Sequence, residues 1–317
     1  VAKRLFVAMP LRMTIGDKNM NYRALITAMA LLIAGFVFLN RNTISRLALA
    51  ASNELYPMGD VFPLGVYDAH GDEAFSDLSH SHFNMAHVYS STMSLEAAER
   101  YLKKAAQHNL NVMMNMPSSK LNAGEAFWKE YITACAKYDN LAWWYIPEEP
   151  KKDQYEHVEN LYNWIKRCDP KKRPAGTYHA GGRTTEALRF WQKVNDFVLS
   201  GSYPNYYEQP RIWVKWKMEQ EIKGMPEAAP VFCGQFFALD KPPIQPKEAY
   251  HDSYLGIVSG AKAIVLYSYS RGISECPKET WEAYKKVADE IGGKGNLGPV
   301  ILSPDVPQKI KRRISGF

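Results

Sequence analysis

The feature that most constrains this chain is an alternation that begins at residue 62 and recurs eight times. Short apolar runs at 62–67, 83–88, 110–116, 141–146, 173–178, 196–200, 229–234 and 261–267 are each followed by a stretch with helical spacing. Those stretches cover 73–80, 95–108, 123–138, 154–167, 184–194, 210–223, 246–259 and 279–291. Continuous apolar runs separated by amphipathic segments predict strand–helix units around a parallel sheet buried on both faces. Asn109, Asn140, Gly224 and Gly260 follow the last periodic residue of their segments, where a left-handed cap ends a helix. Eight units over roughly 230 residues match a closed α/β (β/α)₈ TIM barrel, whose usual size is about 250 residues. An open doubly wound sheet is the alternative. It is disfavoured because no glycine-rich phosphate turn follows the first strand and because eight regular units close naturally.

Composition fits one large globular domain: 317 residues, 46% hydrophobic and 23% charged. The net charge of +6 does not imply a polyanionic partner, because Lys and Arg are spread along the chain with short runs only at 151–152, 171–173 and 309–313. Zinc-type cysteine spacing, phosphate-binding glycine motifs and nucleic-acid motifs are missing, so no cofactor, metal or nucleic-acid partner is expected. His70, His80, His82 and His87 lie close in sequence but share no carboxylate at ligand spacing. Cys135 and Cys168 would pair only if their helices were neighbours; otherwise the four cysteines read as small buried hydrophobes.

The amino-terminal segment has a different character. Lys18 and Arg23 precede an apolar run over 24–39, and a polar stretch at 40–46 leads to Ala48-Leu49-Ala50. This order predicts a secretory signal cleaved after Ala50, with residues 1–19 as an extension upstream of Met20. An uncleaved anchor is the alternative, although the run is shorter than the about 20 residues of a bilayer span. Either way the domain would lie outside the cytoplasm: secreted, periplasmic or membrane-anchored. The domain organisation is therefore an extension with signal peptide or anchor over 1–54, the barrel over 55–295, and a tail over 296–317. Residues 300–302 read as a strand that leads toward an accessory β domain.

In a barrel of this kind chemistry sits at the carboxyl ends of the strands. The residues there are Tyr67, Asp68 and His70 after strand one; His87 and Tyr89 after strand two; Asn115 after strand three; Glu148 and Glu149 after strand four; and Tyr178 and His179 after strand five. Tyr203, Asn205 and Tyr206 follow strand six, Gln235 strand seven, and Tyr267, Tyr269 and Arg271 strand eight. The aromatic share of 13%, with 19 Tyr and 8 Trp against 13 Phe, supplies flat apolar faces with polar edges, which suit a sugar ring and a large core alike.

The segment Trp143-Trp144-Tyr145-Ile146-Pro147-Glu148-Glu149-Pro150, an acidic pair before proline at the end of strand four, resembles the signature of the clan A glycoside hydrolases and their uncharacterised barrel relatives. Tyr203-Pro204 and the 256–267 segment also look like those relatives. The resemblance implies hydrolysis of O-glycosidic bonds of an extracellular poly- or oligosaccharide, with Glu149, the residue before Pro150, as general acid/base. It also implies a carboxylate nucleophile at the end of strand seven, where this chain has Gln235, which cannot act as one. The second carboxylate would then come from elsewhere, with Asp68 preferred over Glu148, Asp240 and Glu275, or the barrel binds carbohydrate without cleaving it.

Alternation along strand four places Glu149, Tyr145 and Trp143 on one side, and a carboxyl group among aromatic rings beside another acid should have a raised pKa. Tyr67, His87, Asn115, Tyr145, Tyr178, Tyr203, Gln235, Tyr267 and Tyr269 are the candidates for holding sugar hydroxyls, the alternative for a buried tyrosine being a bond to a backbone carbonyl. Trp213 and Trp216, three residues apart on the sixth helix beside Tyr206 and Tyr207, read as core packing or as a platform for a sugar ring.

Overall fold

The structure, a computed structural model, describes residues 61–303. The apolar run at 24–39 and the junction after Ala50 lie outside the described residues. Among the described residues no helix is long and apolar enough to cross a membrane.

Eight parallel strands close into a barrel in sequential order. They are β1 (Leu64–Tyr67), β2 (Met85–His87), β3 (Asn111–Asn115), β4 (Leu141–Tyr145), β5 (Ala175–His179), β6 (Phe197–Ser202), β7 (Ala229–Gln235) and β8 (Ala263–Tyr267). Closure is made where Leu64, Gly65 and Val66 of β1 pair with Ile264, Val265 and Leu266 of β8. Between the strands run α1 (Gly71–His80), α2 (Leu95–Gln107), α3 (Glu125–Cys135), α4 (Tyr155–Cys168), α5 (Thr185–Arg189), α6 (Trp213–Gly224) and α7 (Pro246–Val258). After β8 come α8 (Tyr269–Glu275), α9 (Lys278–Gly292) and α10 (Gly298–Leu302).

The strand period of two separates the core into two layers. Met85, Met113, Trp143, Phe197, Leu199, Val231 and Val265 point inward and fill the barrel, with Trp143 stacked on Phe197 at 4.6 Å between centroids. Leu64, Val66, Val112, Met114, Trp144, Val198, Phe232 and Leu266 point outward into the helical layer. Local signals set the helix ends. Ser94 Oγ accepts the Ala97 backbone N–H at 3.2 Å to start α2, and Gln245 with Glu248 forms a capping box ahead of Pro246 at the start of α7. Asn109 and Gly260 take the left-handed conformation, with φ of 57° and 108°. Asn140 instead uses its side-chain amide to hold the Leu102 and Leu110 carbonyls at 2.9 and 3.1 Å.

Two expectations are corrected. The segment at 184–194 breaks into α5 and a 3₁₀ turn at Gln192–Val194, rather than one helix. Residues 300–302 belong to α10 rather than to a strand: Pro299 at the start of a turn favours helix, and three apolar residues alone cannot distinguish the two. The cysteines follow the unpaired reading: all four are free, Cys135 and Cys168 included.

Where α4 turns into β5 a charged pair is enclosed. Asp169 and Arg173 are both buried, with Arg173 Nη1 donating to Asp169 Oδ1 at 2.8 Å. Asp169 Oδ2 also accepts from Trp144 Nε1 at 2.9 Å and from the Arg173 backbone at 3.1 Å. Arg173 Nη2 donates to the Ala136 and Tyr138 carbonyls at 3.3 and 3.0 Å. This cluster ties the α3–β4 turn to the start of β5.

Candidate active site

The carboxyl ends of the strands surround a cavity of about 300 Å³ lined by Tyr89, Glu148, Glu149, Tyr178, Tyr203, Tyr206, Tyr207, Phe237, Leu239, Tyr267 and Arg271. Aromatic rings form most of its wall. Tyr203 stacks parallel to Tyr207 at 6.2 Å between centroids, while Phe237 meets Tyr203 and Tyr267 edge-on at 5.1 and 5.6 Å. Beneath lies a closely packed floor. The Tyr67 ring is 4.4 Å from His87, 5.7 Å from Tyr145 and 5.4 Å from Tyr267, centroid to centroid.

Both acids of the pair line this cavity, and the more buried of the two is Glu148, not Glu149. Past the end of β4 the pairing with β5 acquires an extra residue. Ile146 N–H donates to the Gly176 carbonyl at 2.9 Å, and the next such bond, to the Tyr178 carbonyl at 3.0 Å, comes from Glu149. Over that interval β4 advances three residues while β5 advances two, which is a bulge, and a bulge inverts the alternation of side chains. Trp143 and Tyr145 therefore face the axis as strand parity requires, but Glu148 continues their side. Glu149 takes a φ of 46° and stands exposed at the rim. Asp68 and Leu239 also adopt left-handed backbone, with φ of 56° and 53°, so the chain bends sharply after β1, β4 and β7.

Burial holds the Glu148 carboxyl above the usual carboxylate range; a hydrogen bond from Tyr89 opposes this, and Glu149 adds to it. The Tyr89 hydroxyl donates to Glu148 Oε2 at 2.5 Å. Burial also pushes the phenols of Tyr67, Tyr145, Tyr178 and Tyr203 well up, so they stay neutral donors. His87 is pulled down to about 3, chiefly by burial. Its Nδ1 donates to the Met113 carbonyl at 2.8 Å, which makes it a neutral ring with its Nε2 lone pair toward the floor. Three buried atoms of the floor, Tyr67 Oη, Tyr145 Oη and His87 Nε2, find no hydrogen-bond partner among the described residues.

Of the candidates read from sequence, the structure brings Glu148, Glu149, Tyr178, Tyr203 and Tyr267 to the cavity wall, with Tyr67, His87 and Tyr145 directly below. The others are placed elsewhere. Asp68 is engaged beside α8, taking hydrogen bonds from His70 Nε2 at 2.8 Å and from Ser270 Oγ. Burial resists its ionisation, but these two bonds prevail and keep its carboxyl below the usual range. Asn115 donates its amide to the Ser90 carbonyl. Gln235, at the expected nucleophile position, bridges the neighbouring loops by accepting from the Tyr206 backbone at 3.3 Å and donating to the Phe237 carbonyl at 3.1 Å. Tyr269 turns toward the helical layer, where its hydroxyl and Trp281 Nε1 both donate to Asp77 at 2.8 Å.

Phe237 and Leu239 line the cavity without having been singled out in the sequence. Their apolar side chains carry no chemical signature, and only their place two and four residues beyond β7 would have found them.

No family model matches the chain, and no curated protein matches it in sequence. Solved structures do resemble it. They include β-glucuronidase from Ruminococcus gnavus in complex with D-glucuronic acid, at 13% identity and a TM-score of 0.55, covering 72% of this chain and 49% of that one. A further crystal structure of Ruminococcus gnavus β-glucuronidase aligns at 12% identity and a TM-score of 0.54, covering 72% and 50%. With C6-substituted uronic isofagomine it aligns at 12% and 0.56, covering 72% and 49%. The chain thus spans about half the length of these enzymes. At this identity the likeness establishes a shared fold, the (β/α)₈ barrel found in glycoside hydrolases.

Proposed function

We propose that this barrel hydrolyses the O-glycosidic bond of a poly- or oligosaccharide, with Glu148 as general acid. The observation that carries the reading is Glu148 itself: a carboxyl group with raised proton affinity, enclosed by tyrosine rings at the carboxyl end of β4. A proton held there can pass to the glycosidic oxygen as the bond from that oxygen to the anomeric carbon breaks. Water that attacks the anomeric carbon gives up its proton to the Glu149 carboxylate, the other acid of the cavity wall. The neutral phenols of Tyr178, Tyr203 and Tyr267 donate to sugar hydroxyls. The acid role thus passes from Glu149 to its neighbour, and the second role from Asp68 to Glu149.

Gln235 favours a second reading, in which the cavity binds a saccharide without cleaving it. One experiment separates the two: reducing-end release from a panel of oligo- and polysaccharides that includes β-glucuronides, with calorimetric binding of the same compounds. Hydrolysis predicts release by the wild-type protein and a drop of about 10²–10⁴-fold for Glu148→Gln. Binding without release by the wild type supports the second reading. Release that Glu148→Gln leaves unchanged removes Glu148 from the mechanism.

A further inference from the structure

Tyr207 stands at the edge of the mouth cavity and begins a run of rings that leaves it. Its ring is 5.2 Å from that of Trp213, and Trp213 stacks on Trp216 at 6.1 Å with planes 18° apart, centroid to centroid. The contact between Tyr207 and Trp213 is made over Gly181, where an added Cβ would lie 2.7 Å from the Tyr207 ring and 2.9 Å from the indole of Trp213. The two indoles then line a groove of about 460 Å³ on α6 with Pro210, Ile212, Lys215 and Glu219. Trp216 is 38% and Ile212 59% exposed. Lys217 Nζ lies 5.5 Å from the Trp216 ring centroid and anchors that indole. Glu219 at the groove edge takes an ion pair from Lys223 at 3.1 Å.

We propose that this groove is a second carbohydrate site, which holds the distal sugar rings of a chain whose reacting end occupies the mouth cavity. The proposal rests on the carbohydrate reading of that cavity. Flat apolar rings with charged groups along one edge match the two sides of a pyranose, whose C–H face packs on an indole while its hydroxyls reach outward. Six residues fall far short of the about 20–30 a side that a stable protein interface uses. Continuity with the cavity through Tyr207 gives the groove a direction, and that direction suits a linear polymer.

The test is affinity electrophoresis of wild type, Trp216→Ala and Trp216→Phe through gels that contain soluble polygalacturonate, xyloglucan, arabinan or mannan, paired with calorimetric titration of the matching di- and trisaccharides. The expected result is retardation of the wild type by at least one polymer, retention about tenfold weaker for Trp216→Ala, partial recovery for Trp216→Phe, and short-saccharide affinity equal in all three. The proposal is overturned if no polymer retards the wild type, or if Trp216→Ala moves as the wild type does. It is equally overturned if the substitution leaves retention intact and exposes residues 1–60 to protease, since the groove then holds a segment of this chain. Short-saccharide binding and Glu148→Gln report on the cavity alone, so a failure there is read separately from a failure at Trp216.

Discussion

The two ends of β4 and β5 bury ionisable groups in opposite ways. At the amino end, the Asp169 carboxylate accepts from Arg173, from Trp144 and from two backbone N–H groups, and Arg173 closes onto two carbonyls. At the carboxyl end, Glu148 has a single tyrosine hydroxyl among the described residues, and the floor below leaves two phenols and an imidazole nitrogen without partners there. A charge so completely surrounded serves the fold, because its partners are all supplied by the chain. Groups left underserved at the mouth are available to a ligand, and the fold bears the cost. The contrast agrees with the general division of such barrels into a stabilising bottom and a reactive top.

The largest effect should come from the satisfied end. Asp169→Ala leaves a buried guanidinium without its counter-charge and should lower stability by about 3–5 kcal/mol, read from urea unfolding. A loss under about 1 kcal/mol would erase the distinction between the two ends.

A matched pair of tyrosines tests the same contrast at single hydroxyls. Tyr284 donates to the Gln235 carbonyl at 2.5 Å, so Tyr284→Phe strands a buried acceptor and should cost about 1–3 kcal/mol. Tyr145→Phe removes a hydroxyl that bonds no described residue and should change stability by less than about 0.5 kcal/mol. Equal losses would mean that the floor hydroxyl is as well satisfied as one with a protein partner.

The smallest effect concerns pH. The native Glu148 carboxyl binds its proton more tightly than the unfolded one, so its contribution to stability is greatest below the ordinary glutamate range. That contribution is lost as pH rises through the raised native value. Glu148→Gln abolishes the loss. The variant should match the wild type near pH 4 and exceed it near pH 8, read as the higher Tm by calorimetry. A variant that is less stable than the wild type at pH 8 would show that the ionised carboxyl helps hold the mouth together.

Much of the barrel was legible in the residues, because a strand buried on both faces must be continuously apolar and a helix on its surface must repeat every three to four residues. The eight strands fall within or close to the runs read from sequence. The same rule failed for 300–302, where three apolar residues preceded by Gly-Pro become a turn of helix. In the site, Tyr178, Tyr203 and Tyr267 were legible because each lies at or just beyond a strand end. Tyr269 occupies a comparable position, but α8 rotates it away toward Asp77.

The order and number of strand–helix units, and the place where polar residues gather, belong to the sequence alone, since hydrophobic period and local caps act over a few residues. Which member of the acidic pair enters the cavity was decided by tertiary structure. That choice turns on one extra residue between two hydrogen bonds from β4 to β5, and pairing between strands some thirty residues apart leaves no trace in the local pattern of either. The same holds for Gln235, whose partner Tyr206 is brought to it by the pairing of β6 with β7, and for Asp68, whose partner Ser270 reaches it only by closure of the barrel between β1 and β8.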